Sequence, residues 1–242
     1  MNQPTRHGSV KEGTSQVIGH RWAVELLTRQ LIHGHLAHAY LFTGPPNVGK
    51  GVLARWFAQA LLCMAEPDRV EEYGTETLPH NVACGTCKAC QKVLAENHPD
   101  LRLLNLEQQA QEGRRTLGIE AIREFVAGMA ERPFWGRCKV YLIEDAECMT
   151  TEAANALLKT LEEPPSFVVL LLVALSDHLL LPTIVSRCQI LPLRTLGREE
   201  VRRALQDRWG ADERQALLLA ALSLGRLGWA VEALQNDRPL QQ

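Results

Sequence analysis

At 242 residues the chain has room for one large domain, or for a medium one and a small one. Its 46% hydrophobic and 22% charged residues supply a real core and exclude a generally disordered chain. A formal charge of −2 excludes a surface coated in basic residues, so any nucleic-acid contact must be local or made within a larger assembly.

Residues 1–16 are polar, lack the apolar run of an export signal, and are expected to form a flexible leader. From Gln16 the stretch "QVIGHRWAVELLTRQLIHGHL" makes a short turn at Val17-Ile18-Gly19. It then spaces Ala23, Leu26, Leu27 and Leu31 as a helix does. "HAYLFTG" reads as a strand running straight into "GPPNVGKG", and "GVLARWFAQALLC" continues as a helix. Strand, glycine loop and helix are the context that a phosphate-binding loop requires. The expected anion cradle is Gly44, Pro45, Pro46, Asn47, Val48, Gly49, Lys50 and Gly51, with backbone N–H groups and the helix's positive end facing the phosphates. The pattern GxxxxGK[ST] is broken only at its last letter. Gly51 stands where a hydroxyl normally ligates magnesium, and Val52 offers no substitute.

Four of the seven cysteines, Cys63, Cys84, Cys87 and Cys90, gather in and before "CGTCKAC". In a chain without an export signal, such clustering suggests metal before disulfides. Four thiolates are the ligand set of a closed structural zinc site; an iron–sulfur cluster, or His80 or His98 in place of Cys63, are the alternatives. Cys138 and Cys148 read as ordinary thiols.

"DLRLLNL" is a second strand. "TLGIEAIREFVAGMAERP" is a helix with Ile119, Ile122, Val126 and Met129 on one face, ending at Pro133. "KVYLIED" is a third strand, apolar enough to be buried on both faces. It delivers Glu144, Asp145 and Glu147 to the place where phosphoryl-transfer enzymes keep a metal-binding acid and a water-orienting one. The pair runs Glu then Asp, the reverse of the commoner order, which moves both carboxylates by about a bond length. With Gly51, this compromises two parts of one magnesium site, and weak or absent hydrolysis is expected. "TTEAANALLKTLEE" is a helix capped by Thr150 or Thr151 and stopped by Pro164-Pro165. "FVVLLLVAL", the most apolar run, is nine residues long, a fourth strand and too short to span a bilayer. A soluble, cytoplasmic protein is expected. "QILPL" is the fifth strand, preceded by Ser186-Arg187-Cys188, whose arginine could reach a phosphate held by a neighbouring subunit. After Gly197 three helical segments follow with no strand between them. The fold class is therefore α/β: a P-loop domain with a parallel sheet and an inserted cysteine module, followed by a small helical domain.

"HAYLFTGPPNVGKG", the cysteine segment, "VYLIEDAECMTTEAANALLKTLEEPP" and "LPTIVSRCQIL" together resemble the bacterial clamp-loader AAA+ family, over about residues 17 to 235. The resemblance implies a subunit of a five-part ring that uses ATP to open a sliding clamp and place it on primed DNA during replication by DNA polymerase III. Its partners would be the tau/gamma and delta subunits, with the clamp and DNA reached through the complex. It implies a structural zinc on Cys63, Cys84, Cys87 and Cys90 and a trans arginine finger at Arg187. Ser176 would be the sensor-1 residue and Arg226 the lid-domain arginine (sensor 2). Degenerate catalytic acids at Glu144 and Asp145 suit a stator more than a motor ATPase, the second reading; a zinc-module nucleic-acid binder is a third. The expected division is a leader over 1–16, an AAA+ domain over 17–196 with a zinc module at 63–92, and a lid over 197–242, the family's collar domain being absent.

Overall fold

The computed structural model describes residues 17–65, 82–111 and 113–236. The expected leader, most of the segment between Cys63 and Cys84, and His80 lie outside the described residues.

Helix α1 (Arg21–His33) leads into strand β1 (Ala39–Thr43), the glycine loop, and helix α2 (Lys50–Leu62). After the cysteines come α3 (Lys88–Leu94), β2 (Leu101–Leu104) and α4 (Leu106–Gln111). Helix α5 (Ile119–Ala127) passes into a 3-10 turn at Gly128–Ala130, so the expected helix ends tighter and sooner than Pro133. Strand β3 (Lys139–Ile143), α6 (Thr151–Glu162), β4 (Val168–Ala174), the short α7 (Pro182–Val185) and β5 (Gln189–Pro192) complete the α/β part. Thr150 is the cap of α6: its hydroxyl accepts from Ala153 N at 3.2 Å.

The five strands are parallel, in the order β2-β3-β4-β1-β5. Successive side chains alternate between two cores, one on each face of the sheet. Leu41, Tyr141, Ile143, Leu170 and Leu172 join Ile122, Phe125 and Leu157 of α5 and α6. Tyr40, Phe42, Val140, Leu142 and Leu171 join Leu27 of α1 and Leu53 and Phe57 of α2. α2 is buried nearly all round, because α3 and the cysteine segment cover the side that the sheet does not.

Helices α8 (Arg198–Trp209), α9 (Glu213–Leu222) and α10 (Leu227–Asn236) share a separate core of Val201, Leu205, Leu219 and Ala230. α9 begins with a capping box in which Asp212 and Gln215 satisfy each other's backbone N–H. This group reaches the glycine loop directly: Gly228 N donates to Asn47 O at 2.8 Å.

Candidate functional site: a phosphate loop, a cysteine cluster and a rim arginine

The glycine loop hangs between β1 and α2 at the carboxyl end of the sheet, where open parallel sheets bind ligands. Gly44 is a steric requirement. Its φ is +145°, and a Cβ there would lie 2.3 Å from Leu193 O, the carbonyl just past β5. Its own N–H donates to Leu175 O at 3.2 Å, anchoring the loop to the end of β4. Asn47 adopts a left-handed conformation at φ 62°, and Val48 O accepts from Nε2 of the buried His20 ring at 2.8 Å. Lys50, 8% exposed, folds back so that its ammonium donates to Gly44 O and Pro45 O, both at 2.7 Å. Burial lowers its pKa, and the nearby Glu147 and Asp145 oppose that shift. Pro45, Pro46 and Asn47 are exposed at the lip.

Glu144 stands at the end of β3, its N–H donating to Leu104 O at 2.9 Å. Its carboxylate does not point into open space. The Arg55 guanidinium, one turn along α2 from Gly51, grips it with both ends: Nη1 donates to Oε1, and Nη2 to Oε2 at 2.9 Å. Glu96, after α3, accepts from Arg55 Nε and Nη2 at 3.2 Å. Asp145 is exposed and left-handed at φ 55°, with Oδ2 accepting weakly from Leu106 N at 3.4 Å. Glu147 Oε2 is buried without a hydrogen-bond partner. Ser176 lies two residues past β4, but its hydroxyl is engaged locally, donating to Asp177 Oδ1 and accepting from His178 N, both at 3.3 Å. Arg226 lies two residues before Gly228, yet its Nε donates to Ser223 O at 3.0 Å and its guanidinium sits over Trp229.

The sulfurs of Cys63, Cys84, Cys87 and Cys90 lie within 4.8 Å of one another, with Cys63–Cys87 at 4.0 Å and Cys84–Cys90 at 3.9 Å. Four sulfurs at about 2.3 Å from one tetrahedral ion would stand roughly 3.8 Å apart, so the donor set fits a metal. Backbone N–H groups reinforce it: Cys84 N points at Cys63 Sγ (3.5 Å), Cys87 N at Cys84 Sγ (3.3 Å) and Cys90 N at Cys87 Sγ (3.4 Å). At Cys84, burial pushes the thiol up, but the N–H groups of Cys87 and Thr86 outweigh it and bring it down to about 6. His98 is not part of the cluster; its Nδ1 accepts from Asp100 N at 3.0 Å. Cys138 and Cys188 are scattered thiols pushed up by burial, to about 11 and about 12.

Arg187 lies between α7 and β5. Gln189 pairs with Tyr40 and Pro192 with Thr43, so Arg187 is at the amino end of the strands while the glycine loop is at the carboxyl end. The extended run from Gln189 to Leu193, which lies beside Gly44, alone spans about 13 Å along the sheet. The guanidinium donates to Thr183 O at 2.9 Å and to Glu162 Oε1 at 2.8 Å, in an ion pair whose arginine side chain is 34% exposed.

The structure thus gathers Lys50, Gly51, Glu144, Asp145 and Glu147 around one loop and keeps Arg187 apart from them. Sequence reasoning missed Arg55, Glu96 and His20. Only the position of Arg55, one helical turn past Gly51, carries any signal of its role.

A parallel sheet with a phosphate loop after one strand, followed by a helical group touching that loop, defines a P-loop protein of the AAA+ class. Among solved structures, the Thermotoga maritima RuvB Holliday junction branch migration motor matches 91% of this chain and 62% of its own, with a TM-score of 0.58 at 16% identity, a likeness of fold. The chain belongs to the family described as DNA polymerase III, delta subunit, whose sequence profile matches residues 19–197. Pseudomonas aeruginosa DNA polymerase III subunit delta' is 42% identical over 175 residues, 71% of this chain and 48% of that protein. Haemophilus influenzae DNA polymerase III subunit tau/gamma is 33% identical over 187 residues, 77% of this chain and 24% of that protein. The chain spans about half the length of the delta' relative and about a quarter of the tau/gamma one. No described helix is long and apolar enough to cross a membrane.

Proposed function

We propose that this chain serves as the delta-prime, or stator, subunit of a bacterial DNA polymerase III clamp loader in the cytoplasm. With tau/gamma and delta subunits it helps place the sliding clamp on primed DNA, supplying Arg187 in trans to ATP held by a neighbour. Family membership and the 42% identity to a delta' subunit support the reading. The observation that carries it is the position of Arg187. At the amino end of an edge strand it stands at the far end of the sheet from its own phosphate loop, half-exposed and steadied by Glu162. A guanidinium so placed serves a phosphate brought by another subunit, where it offsets the charge that develops in phosphoryl transfer.

In this reading residues 17–196 are the AAA+ domain, 63–92 its zinc module and 197–242 the lid, with Arg226 and Ser176 as sensors. The cysteine cluster holds a structural zinc: four thiolates leave no open position for catalysis, and the ion ties the end of α2 to α3. The chain's own ATP hydrolysis is weak or absent. The second reading, a tau/gamma-type motor, draws on the Haemophilus match but needs a metal at Gly51 and Glu144, where Glu144 is already bound by Arg55.

The test is ATP turnover by the loader reconstituted with the Arg187→Ala chain. The expected loss is on the order of 10³-fold in kcat, with nucleotide binding by the complex kept. Unchanged turnover would remove the finger role.

A further inference from the structure

The residues around the loop do not fit the magnesium that a P-loop of this class implies. Two protein groups normally hold that ion: a hydroxyl at the position of Gly51 and a carboxylate at the end of the strand carrying Glu144. A Cβ built on Gly51 would stand 2.6 Å from Glu144 Oε1 and 3.1 Å from Arg55 Nη1. A threonine at 51 therefore has no room while this ion pair is in place. The absent hydroxyl is more than a missing ligand: its space is filled by the carboxylate that should have been its partner. That carboxylate is mostly buried, its side chain 15% exposed, and both of its oxygens accept from one guanidinium. Arg55 is itself fixed from the other side by Glu96 Oε1 at 3.2 Å. A bidentate arginine–carboxylate pair is geometrically specific; it takes up a lone pair on each Glu144 oxygen and sets a fixed positive charge against the place that a metal ion would occupy.

The anion-binding half of the loop is nevertheless complete. Gly44 and Gly49 hold the left-handed turns, α2 presents its amino end, and the Lys50 ammonium lies against the carbonyls of Gly44 and Pro45 with a third N–H to offer an anion. We propose that the Arg55 guanidinium stands in for the divalent cation, so that this loop takes the phosphates of a nucleoside di- or triphosphate as the free anion. Magnesium, which complexes the same phosphates in solution, then competes with the site. The inference concerns the isolated chain's own loop and stands apart from Arg187, so failure of either leaves the other intact.

The experiment is equilibrium binding of ADP and of ATP to the whole chain by calorimetry, once in EDTA and once in excess magnesium, with Gly51→Thr/Arg55→Ala measured in parallel. Wild type is expected to bind in EDTA and to lose affinity by tenfold or more in magnesium, in keeping with electrostatic competition for the phosphates. The double variant, with hydroxyl restored and guanidinium removed, is expected to reverse that order and bind better with magnesium. Far-ultraviolet circular dichroism and an unfolding curve establish that the variant folds. Lys50→Ala should abolish wild-type binding in EDTA. Magnesium-dependent binding by wild type would overturn the proposal, as would an absence of nucleotide binding under both conditions or binding that survives Lys50→Ala.

Discussion

Asp100 sits just before β2 with 2% of its surface exposed, and its carboxylate organises the turn that leads into β3. Oδ1 accepts from Phe134 N at 2.6 Å, while Oδ2 accepts from Trp135 N at 2.8 Å and Gly136 N at 3.1 Å. Asp100→Ala would leave three N–H groups without their acceptor. At about 1–3 kcal/mol each, with part recovered as the turn opens to water, the expected loss is about 3–5 kcal/mol. For a chain of this size that lowers Tm by about 6–20 °C. Asp100→Asn keeps one acceptor oxygen and should lose about 2–3 kcal/mol. The pH dependence has a definite sign. Burial pushes the Asp100 carboxyl up, but the three N–H bonds outweigh it and hold the folded-state pKa below the ordinary value of 3.8. Its stabilisation is therefore complete above about pH 4 and is lost as pH falls through the lower folded value. Urea unfolding followed by circular dichroism, at pH 7 and at steps below pH 4, should show a gap between wild type and Asp100→Asn that narrows in acid. A loss under about 1 kcal/mol at pH 7, or a gap constant with pH, would mean that the Asp100 carboxylate does not hold this turn.

Two further outcomes are expected. Purified chain should carry about one tightly held zinc ion on its four thiolates, and stripping it with a chelator should lower Tm sharply, with Cys90→Ser behaving likewise; metal-free protein with an unchanged Tm would contradict the cysteine site. Glu162→Gln releases Arg187 from an exposed ion pair, so stability should change by less than about 0.5 kcal/mol. Loader turnover should be kept or raised, and a fall as deep as that of Arg187→Ala would mean that Glu162 does more than hold the side chain at rest.

Local patterns in the chain were enough for the α/β order, because strand, glycine loop and helix are written in consecutive residues. The β3 run "KVYLI" is apolar at every pleat but its first residue, which is what burial on both faces requires. The broken magnesium site was visible at Gly51 as a missing hydroxyl. What fills the space was not, since Arg55 and Glu144 are 89 residues apart and the place of Arg55, one turn past Gly51, does not name its partner. The same limit applies to Arg187. Its motif is readable, but its distance from the phosphate loop follows only from the parallel pairing of β5 with β1. Helix α3 was hidden because its seven residues begin within the cysteine run, and the covering of α2 by that segment could not be foreseen from α2 itself. Sequence separation sets the boundary for Arg55 and Arg187, and shortness of the segment sets it for α3.

In the proposed role, Arg187 acts on a neighbour's nucleotide. Its most direct test is a structure of the assembled loader with ADP and beryllium fluoride in the motor subunits. The Arg187 guanidinium is expected to have left Glu162 and to lie at hydrogen-bond distance, about 3 Å, from the fluoride in an adjacent subunit's site. Arg187 still paired with Glu162 and remote from every nucleotide would contradict it.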